Sequence, residues 1–185
     1  MYYSNMYEFG VHNTTVGVTG FVTCIGVVFV TNQQLYAIHI PQTPARYADA
    51  HREFGMFIAR TEGPRIQGDI LVFCNSPQRA NVVNELRPLI GALNVNTSTL
   101  YRLNGPGLNN AANAAAVQVD RVVAGVAGFG VSVKYEVNNN IAWVAGGTAP
   151  SGRYAPGGLG GGVVPNAPAN WVNVTAQNCQ ISNPW

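Results

Sequence analysis

The feature that most constrains the fold of this chain is a pair of apolar runs close together in the sequence. Residues 16–30 are rich in Val and Phe, a polar stretch follows at 31–34, and a second apolar run at 35–40 ends at Pro41. Short apolar runs bounded by turn residues are typical of buried strands. The pattern predicts a hairpin of strands 16–30 and 35–40 with a turn at 31–34, and if its loop has two residues, these are Asn32-Gln33.

Helices and strands are expected to alternate after this hairpin. Thr43-Pro44 supplies an N-cap followed by a proline at the first helical position, which predicts a helix at about 44–59. An apolar strand is expected at 69–74. Ser76-Pro77 repeats the capping signal before a second amphipathic helix, which Pro88 is expected to strain. The predicted order is therefore ββαβα.

The second half of the chain is predicted to consist of short strands and polar loops. A strand at 99–103 precedes a stretch rich in Gly, Asn and Ala at 104–116, which is expected to be a long loop. Alternating residues predict strands at 117–123 and 131–137. A turn of three asparagines then leads to 141–144, which is expected to form a second hairpin with the strand before it.

The complete pattern predicts an α/β fold of the α+β sandwich type. It has a mixed, largely antiparallel sheet with two helices packed on it and a loop-rich C-terminal tail. With 185 residues, the chain fits one domain. Residues 1–145 are expected to form the α/β domain. Residues 146–185 are rich in Gly and Pro but contain Trp171 and Trp185, and they are expected to pack on the same domain as a tail.

Composition argues against two classes of function. Only 10% of the residues are charged, the net charge is +2, and Lys and Arg form no basic run, so nucleic-acid binding is not expected. The longest apolar stretch is interrupted by Thr and Gly and is shorter than the ~20 residues that cross a bilayer, so no membrane span is predicted. The N-terminus lacks a basic region and a small-residue cleavage site, so a Sec-type signal is not predicted.

The cysteines and histidines do not form a recognisable metal-binding pattern. Cys24, Cys74 and Cys179 lie far apart without a C-x-x-C pair, which argues against a zinc site and against a disulfide framework. His12 and His51 are spaced from the third histidine in a way that matches no familiar zinc pattern. No metal or other cofactor is predicted.

Cys24 and His39 are the best candidates for a reactive pair. The two-residue hairpin loop places Cys24 opposite Pro41, with His39 diagonally across from Cys24 and on the same face of the sheet. A neighbouring imidazole activates a thiol as a nucleophile and protonates a leaving amine, which suits acyl transfer from an amide. The alternative is that both are core residues, because free Cys is among the most buried residue types.

Three runs of residues resemble the chemoreceptor glutamine deamidases, the CheD family. In that family a Cys-centred strand, a His-containing strand ending at Pro, and a helix that opens with a basic-Tyr-Ala-Asp pattern follow in this order. The likeness covers about residues 19–60. The matching runs are Cys24-Ile25-Gly26-Val27-Val28-Phe29, His39-Ile40-Pro41 and Pro44-Ala45-Arg46-Tyr47-Ala48-Asp49-Ala50. The family's α/β sandwich is shared with bacterial toxins that deamidate glutamines of host proteins.

The resemblance implies roles for three residues. Cys24 would attack a glutamine carboxamide, backbone N–H groups beside it would hold the oxyanion, and His39 would protonate the departing ammonia. The family's third member is a Thr six residues before the Cys, where this chain has Val18. The nearest candidate is Thr19, which would face away from Cys24 in a regular strand unless a bulge at Gly20 restores its face.

The sequence thus favours a cysteine-dependent glutamine deamidase that acts on a protein substrate. Low charge, abundant Asn and the long C-terminal part favour a bacterial toxin or effector, secreted or delivered into a target cell without a Sec-type signal, over an enzyme of the bacterial cytoplasm. A cognate immunity or inhibitor protein would be a natural partner. Two alternatives remain: a non-catalytic binding or assembly module on the same fold, and a cysteine peptidase or transglutaminase-like acyl transferase.

Overall fold

The computed structural model of this chain has an α+β fold. It describes residues 2–4, 6–21, 23–75, 81–103, 114–124, 128–138, 143–145, 151–154, 163–165 and 171–185. Within these ranges the predicted α+β class, with two helices packed on a largely antiparallel mixed sheet, is confirmed. A second mixed sheet lies against the other face of the first.

The strands and helices follow one another along the chain in this order. The first five strands are β1 (Tyr2–Ser4), β2 (Glu8–His12), β3 (Thr15–Phe21), β4 (Ile25–Val30) and β5 (Leu35–Ile40). They are followed by α1 (Pro44–Glu62), β6 (Gln67–Asn75), α2 (Val82–Ala92) and β7 (Asn94–Leu103). The later strands are β8 (Ala114–Ala124), β9 (Gly128–Asn138), β10 (Trp143–Ala145), β11 (Gly152–Arg153), β12 (Val163–Pro165), β13 (Val172–Asn173) and β14 (Cys179–Ser182).

The strands form two large sheets and one small one. The seven-stranded sheet has the order β11-β2-β5-β4-β6-β7-β14, and the five-stranded sheet has the order β1-β3-β8-β9-β13. β10 and β12 pair antiparallel with each other. The pairs β6–β7 and β1–β3 are parallel, and every other described pair is antiparallel.

The seven-stranded sheet is the middle layer of the molecule, because both of its faces are covered. Ala50, Phe54 and Ile58 recur every four residues along α1 and pack, with the apolar stripe of α2, against one face. Ile25 faces the helices, whereas Val28 faces the five-stranded sheet. Burial on both faces explains why β4 reads as a continuous apolar run. Neither α1 nor α2 has the length and apolar character that a membrane-crossing helix needs.

The first hairpin is confirmed in both loop and register. Val30 pairs with Leu35, and the amide of Thr31 donates to the carbonyl of Gln34 at 2.9 Å, so the loop has two residues. The predicted strand 16–30, however, is two strands that belong to different sheets. The chain leaves the five-stranded sheet after β3 and enters the seven-stranded sheet at β4, so the polar and glycine interruptions near its middle mark a crossover between layers.

The second predicted hairpin is wrong in its partner. β9 pairs with β8, where Val119 lies opposite Val133, and with β13 on its other side. β10, which corresponds to the predicted strand 141–144, pairs with β12 instead. Alternation of apolar residues identifies a strand but does not specify its neighbour. The loop prediction is wrong for residues 114–116, because β8 begins at Ala114, and its remaining residues, 104–113, lie outside the described ranges.

Both ends of the chain contribute strands that sequence patterns did not reveal. β1 and β2 precede the predicted first hairpin, and Tyr2 and Tyr3 are buried. In the C-terminal part, β11 pairs with β2, β13 with β9, and β14 with β7. The indole of Trp185 donates to the carbonyl of Val83 on α2 at 2.9 Å. The predicted cap of the second helix at Ser76-Pro77 lies outside the described residues, and α2 begins at Val82.

Candidate functional site

Cys24 and His39 lie on the same face of adjacent strands, as the hairpin register predicted. Cys24 immediately precedes β4, is 7% exposed and packs between the two large sheets. His39 lies on β5 opposite Gly26. Gly26 and Cys24 are two residues apart, so both point to the face of the seven-stranded sheet that meets the five-stranded sheet. We call this the inter-sheet face. Its members on these strands are Cys24, Gly26, Val28, Val30, Leu35, Ala37, His39, Leu71 and Phe73.

Gly26 explains how the second sheet approaches the strand that follows Cys24. A side chain at this position would bring its Cβ to 3.1 Å from Cβ of Val18 on β3. That separation is tighter than ordinary van der Waals contact. A glycine therefore lets β3 pack closely over β4 and β5 beside His39.

The imidazole of His39 is buried without a hydrogen-bonding partner. The residue is 1% exposed, and neither ring nitrogen has a hydrogen bond within the described part of the chain. Burial lowers the pKa of His39 to about 4, and the nearby backbone groups of Thr19 and Ser4 oppose this shift without reaching hydrogen-bond geometry. The ring is therefore neutral at neutral pH and can accept a proton, and a thiol–imidazole hydrogen bond to Cys24 is not formed in this conformation.

Thr19 lies at a bulge in β3. The pairing of β3 with β8 shifts between Val18 and Phe21, so an irregularity lies in the segment that contains Gly20, where the sequence allows a bulge. Thr19 is 2% exposed, and its hydroxyl donates to the carbonyl of Ser4 at 3.4 Å. It is the backbone of Thr19 that affects the His39 ring, whereas the resemblance assigned that role to the side chain.

Two residues near His39 could not be predicted from the sequence, because they are far from His39 along the chain. The hydroxyl of Tyr154 donates to the carbonyl of His39 at 2.5 Å. Glu8 is fully buried, and its carboxylate is 2.7 Å from the guanidinium of Arg153. Because Phe9 pairs with Ile38, Glu8 comes next to His39 across the β2–β5 pair. The sequence holds no signal for either neighbour, except that Glu8 is the only Asp, Glu, Lys or Arg before Arg46.

Asn75 lies on the other side of Cys24 from His39. Ile25 pairs with Cys74, so the same register continued by one residue brings Asn75 beside Cys24. Asn75 is fully buried, and neither atom of its amide has a hydrogen-bonding partner within the described ranges. The sequence signal that could have found it is a polar residue directly after the apolar strand predicted at 69–74.

Unpartnered polar atoms are concentrated around Cys24. Buried polar groups in proteins are nearly always hydrogen-bonded, so each exception needs an explanation. In the described part of the molecule seven buried side-chain nitrogen and oxygen atoms lack a partner, and four of them belong to His39 and Asn75. A nucleophile flanked by a neutral base and by an amide with a free donor and acceptor is suited to attack on a carbonyl group.

The sequence matches no known protein family. No curated protein matches it either. The likeness to the receptor deamidases therefore depends on the three short runs alone, and the site is interpreted from its own geometry.

The other cysteines and the clefts offer weaker candidates. Cys74 and Cys179 are both buried, and burial together with the neighbouring Cys74 raises the pKa of Cys179 to about 12. No group of three metal-ligating side chains occurs within the described ranges. An open cleft lies at the far end of β4 from Cys24, but it contains no nucleophile paired with a base. Its lining residues are Val30, Thr31, Asn32, Arg65, Ile66, Gln67, Gly68, Asp69 and Asn96.

Proposed function

We propose that this protein is a cysteine-dependent glutamine deamidase that converts a glutamine side chain of a target protein into glutamate with release of ammonia. The observation that carries the proposal is the placement of Cys24 and His39 on one face of adjacent strands, with the imidazole neutral and its ring nitrogens unpartnered within the described residues. Buried polar groups without partners are costly to keep, so a role in binding or chemistry is the best account of this one.

In the first half of the reaction His39 acts as a base. It takes the proton of the Cys24 thiol as the sulfur attacks the carboxamide carbon, and the carbonyl oxygen becomes an oxyanion held by backbone N–H groups beside Cys24. The imidazolium forms next to negative charge, which offsets the cost of charging a buried ring. His39 then gives its proton to the departing amino group, the C–N bond breaks, and ammonia leaves a thioester on Cys24.

In the second half the thioester is hydrolysed. His39 takes a proton from a water molecule as the water attacks the thioester carbon, and the C–S bond breaks as the tetrahedral intermediate collapses. The thiolate recovers the proton, and the substrate leaves as glutamate. The balance is one glutamine and one water consumed for one glutamate and one ammonia, and no cofactor takes part.

The burial of Cys24 favours a substrate whose reacting group lies at the end of a slender side chain. With 7% of the residue exposed, only the end of an extended side chain can reach the sulfur without a larger rearrangement. A glutamine side chain presents its carboxamide at the end of a flexible, unbranched stem. This supports a glutamine of a protein over a backbone amide, and so favours a deamidase over a peptidase.

The biological setting proposed here is that of a bacterial toxin or effector. Its target would be a protein of the recipient cell, and a cognate immunity protein would protect the producing cell by covering Cys24. The low content of charged residues, 10%, supports this setting together with the long Gly- and Pro-rich C-terminal part.

A non-catalytic binding module is the second candidate function. The observation that favours it is that both Cys24 and His39 are more than nine-tenths buried and form no hydrogen bond to each other in this conformation. In that case Cys24→Ser would leave the protein's function intact.

The deciding experiment measures ammonia released when the full chain is incubated with a mixture of eukaryotic and bacterial proteins, with mass spectrometry used to find glutamines converted to glutamate. Cys24→Ser is expected to abolish both signals, and Cys179→Ser, which changes a buried thiol with a raised pKa, is the matched control that leaves them intact. Ammonia release that persists in Cys24→Ser would contradict the proposal. A complete absence of conversion, together with a Cys24 that alkylating agents reach only after unfolding, would favour the binding module.

A further inference from the structure

The amide of Asn75 has no structural role visible in the described part of the molecule. The residue is fully buried at the end of β6, and both Nδ2 and Oδ1 lack hydrogen-bonding partners there. A core position that only had to be filled would favour an apolar residue, because an unsatisfied buried amide destabilises the folded state. The retained amide points to a ligand.

The placement of Asn75 is fixed by two registers. Along β6, Phe73 faces the five-stranded sheet and Cys74 faces the helices, so Asn75 returns to the inter-sheet face. The β4–β6 register ends with Ile25 opposite Cys74, and continuing it by one residue puts Asn75 beside Cys24. His39 lies on β5, on the opposite side of Cys24. The nucleophile therefore has a base on one flank and an amide on the other.

The neighbours of Asn75 on its far side do not offer a polar partner. Asn75 pairs with Leu103 on β7, and Leu103 pairs with Cys179 on β14. Leu103 is a buried apolar residue, and the thiol of Cys179 donates to the carbonyl of Gln180. Of the two positions that flank Asn75 in the sheet, only Cys24 therefore carries a polar side chain.

We propose that Asn75 binds the substrate's primary carboxamide, with Nδ2–H donating to its carbonyl oxygen and Oδ1 accepting from its amino group. This inference rests on the proposed deamidase function. The two hydrogen bonds form a planar amide–amide pair, and the donor of Asn75 would stabilise the oxyanion that develops on the same oxygen. A carboxylate has no N–H to give to Oδ1, so the site would bind the glutamine substrate better than the glutamate product.

The test compares two alkylating agents that differ only in the group from which Oδ1 of Asn75 is proposed to accept a hydrogen bond. Chloroacetamide and chloroacetone both lose chloride as the sulfur of Cys24 bonds to their CH2 carbon, but a methyl group replaces the amino group in the second. Rates at Cys24 are measured by peptide mass spectrometry and divided by the rates of the same reagents with glutathione. The wild-type protein is expected to prefer chloroacetamide by about fivefold or more, the factor expected of one hydrogen bond.

Asn75→Leu removes both hydrogen-bonding groups while keeping the number and branching of the side-chain heavy atoms, and it is expected to abolish the preference for chloroacetamide. Asn75→Ser, whose side chain is too short to reach, is expected to do the same and serves if the leucine variant does not fold. Circular dichroism and thermal melting check that each variant is native. His39→Gln is the control that slows alkylation with both reagents while keeping the preference.

Two results would overturn the inference, and they are distinguishable. If Cys24 reacts faster than Cys179 in the folded protein but both Asn75 variants keep the preference for chloroacetamide, Asn75 does not bind the carboxamide and the proposed deamidase stands. If Cys24 of the wild-type protein reacts with neither reagent until the protein is unfolded, the proposed role of Asn75 and the deamidase proposal fail together.

Discussion

The hydroxyl of Tyr154 donates a hydrogen bond to the main-chain carbonyl of His39 at 2.5 Å, although the two residues are 115 positions apart in sequence. Tyr154 directly follows β11, and its own amide donates to the carbonyl of Tyr7 at 3.2 Å. Tyr154 is 8% exposed, so its hydroxyl and the carbonyl it satisfies are both shielded from water. The C-terminal part of the chain thus holds the strand that carries the proposed base.

Tyr154→Phe is expected to destabilise the protein because it leaves the carbonyl of His39 without this donor in a buried place. An unsatisfied buried acceptor costs about 1–3 kcal/mol. For a chain of this size each kcal/mol lowers Tm by roughly 2–4 °C. Thermal melting followed by circular dichroism measures the change, with Tyr101→Phe as the control, since the described structure shows no hydrogen bond of the Tyr101 hydroxyl. Equal Tm values for wild type and Tyr154→Phe would mean that another donor replaces the hydroxyl.

The buried neutral state of His39 predicts that stability falls as the pH falls. Burial lowers the pKa of His39 to about 4 in the folded state, whereas an exposed histidine in the unfolded chain titrates near 6.5. Between these values the unfolded state binds more protons than the folded state, so the stabilisation is complete above about pH 6.5 and is lost progressively toward pH 4. The contribution of this one ring amounts to about 2 kcal/mol between pH 7.5 and 5.

His39→Gln isolates that contribution. Urea unfolding of the wild-type protein and the variant at pH 7.5 and 5 should give a smaller loss of unfolding free energy in the variant. His51→Gln is a useful comparison, because burial also lowers the pKa of His51 to about 4. This variant should likewise lose less unfolding free energy than the wild-type protein between pH 7.5 and 5. A wild-type protein whose stability is the same at both pH values would show that His39 titrates normally and is not the buried neutral base described above.

His39→Gln is also expected to reduce the rate of deamidation sharply. Loss of a positioned acid and base costs about 10²–10⁴-fold in rate, and no other histidine lies in the cluster around Cys24 in the described structure. Because the pKa of His39 lies near 4, the wild-type rate should not fall at pH 6 as it would with an ordinary histidine, and it should fall only as the pH approaches 4. Ammonia release measured from pH 4 to 8 gives this profile. A midpoint near 6.5 would contradict it.

Local sequence chemistry was sufficient to predict the loop and register of the first hairpin, but not that residues 16–30 are divided between two sheets. The polar pair Asn32-Gln33 between two apolar runs determined a two-residue loop, and the loop determined the register that brings Cys24 and His39 to one face. An irregularity near Gly20 was likewise allowed by the sequence, since glycine tolerates the irregular backbone that a bulge requires. These features depend on residues that are close together in the chain.

The neighbours that complete the site could not be predicted, because they depend on which strands lie side by side. Glu8, Asn75 and Tyr154 reach the site through the pairings of β2 with β5, of β6 with β4 and of β11 with β2. An alternating or apolar pattern gives no information on such long-range pairing. For the same reason β10 was assigned to the wrong partner strand.

Asn75→Leu is expected to make the protein more stable and less active at the same time. A buried amide without partners costs about 1–3 kcal/mol, and a leucine, which has the same number and branching of side-chain heavy atoms, removes that cost and adds apolar contact. A rise of Tm by roughly 2–4 °C per kcal/mol should follow. Ammonia release should fall, since the group proposed to bind the carboxamide is gone.

Thermal melting and the ammonia assay on one preparation give both results, and Asn94→Leu is the control, because Asn94 is exposed and donates to the carbonyl of Arg65. Gain of stability with loss of activity is typical of functional residues, whereas a variant that is less stable and equally active would show that Asn75 is a structural residue of β6.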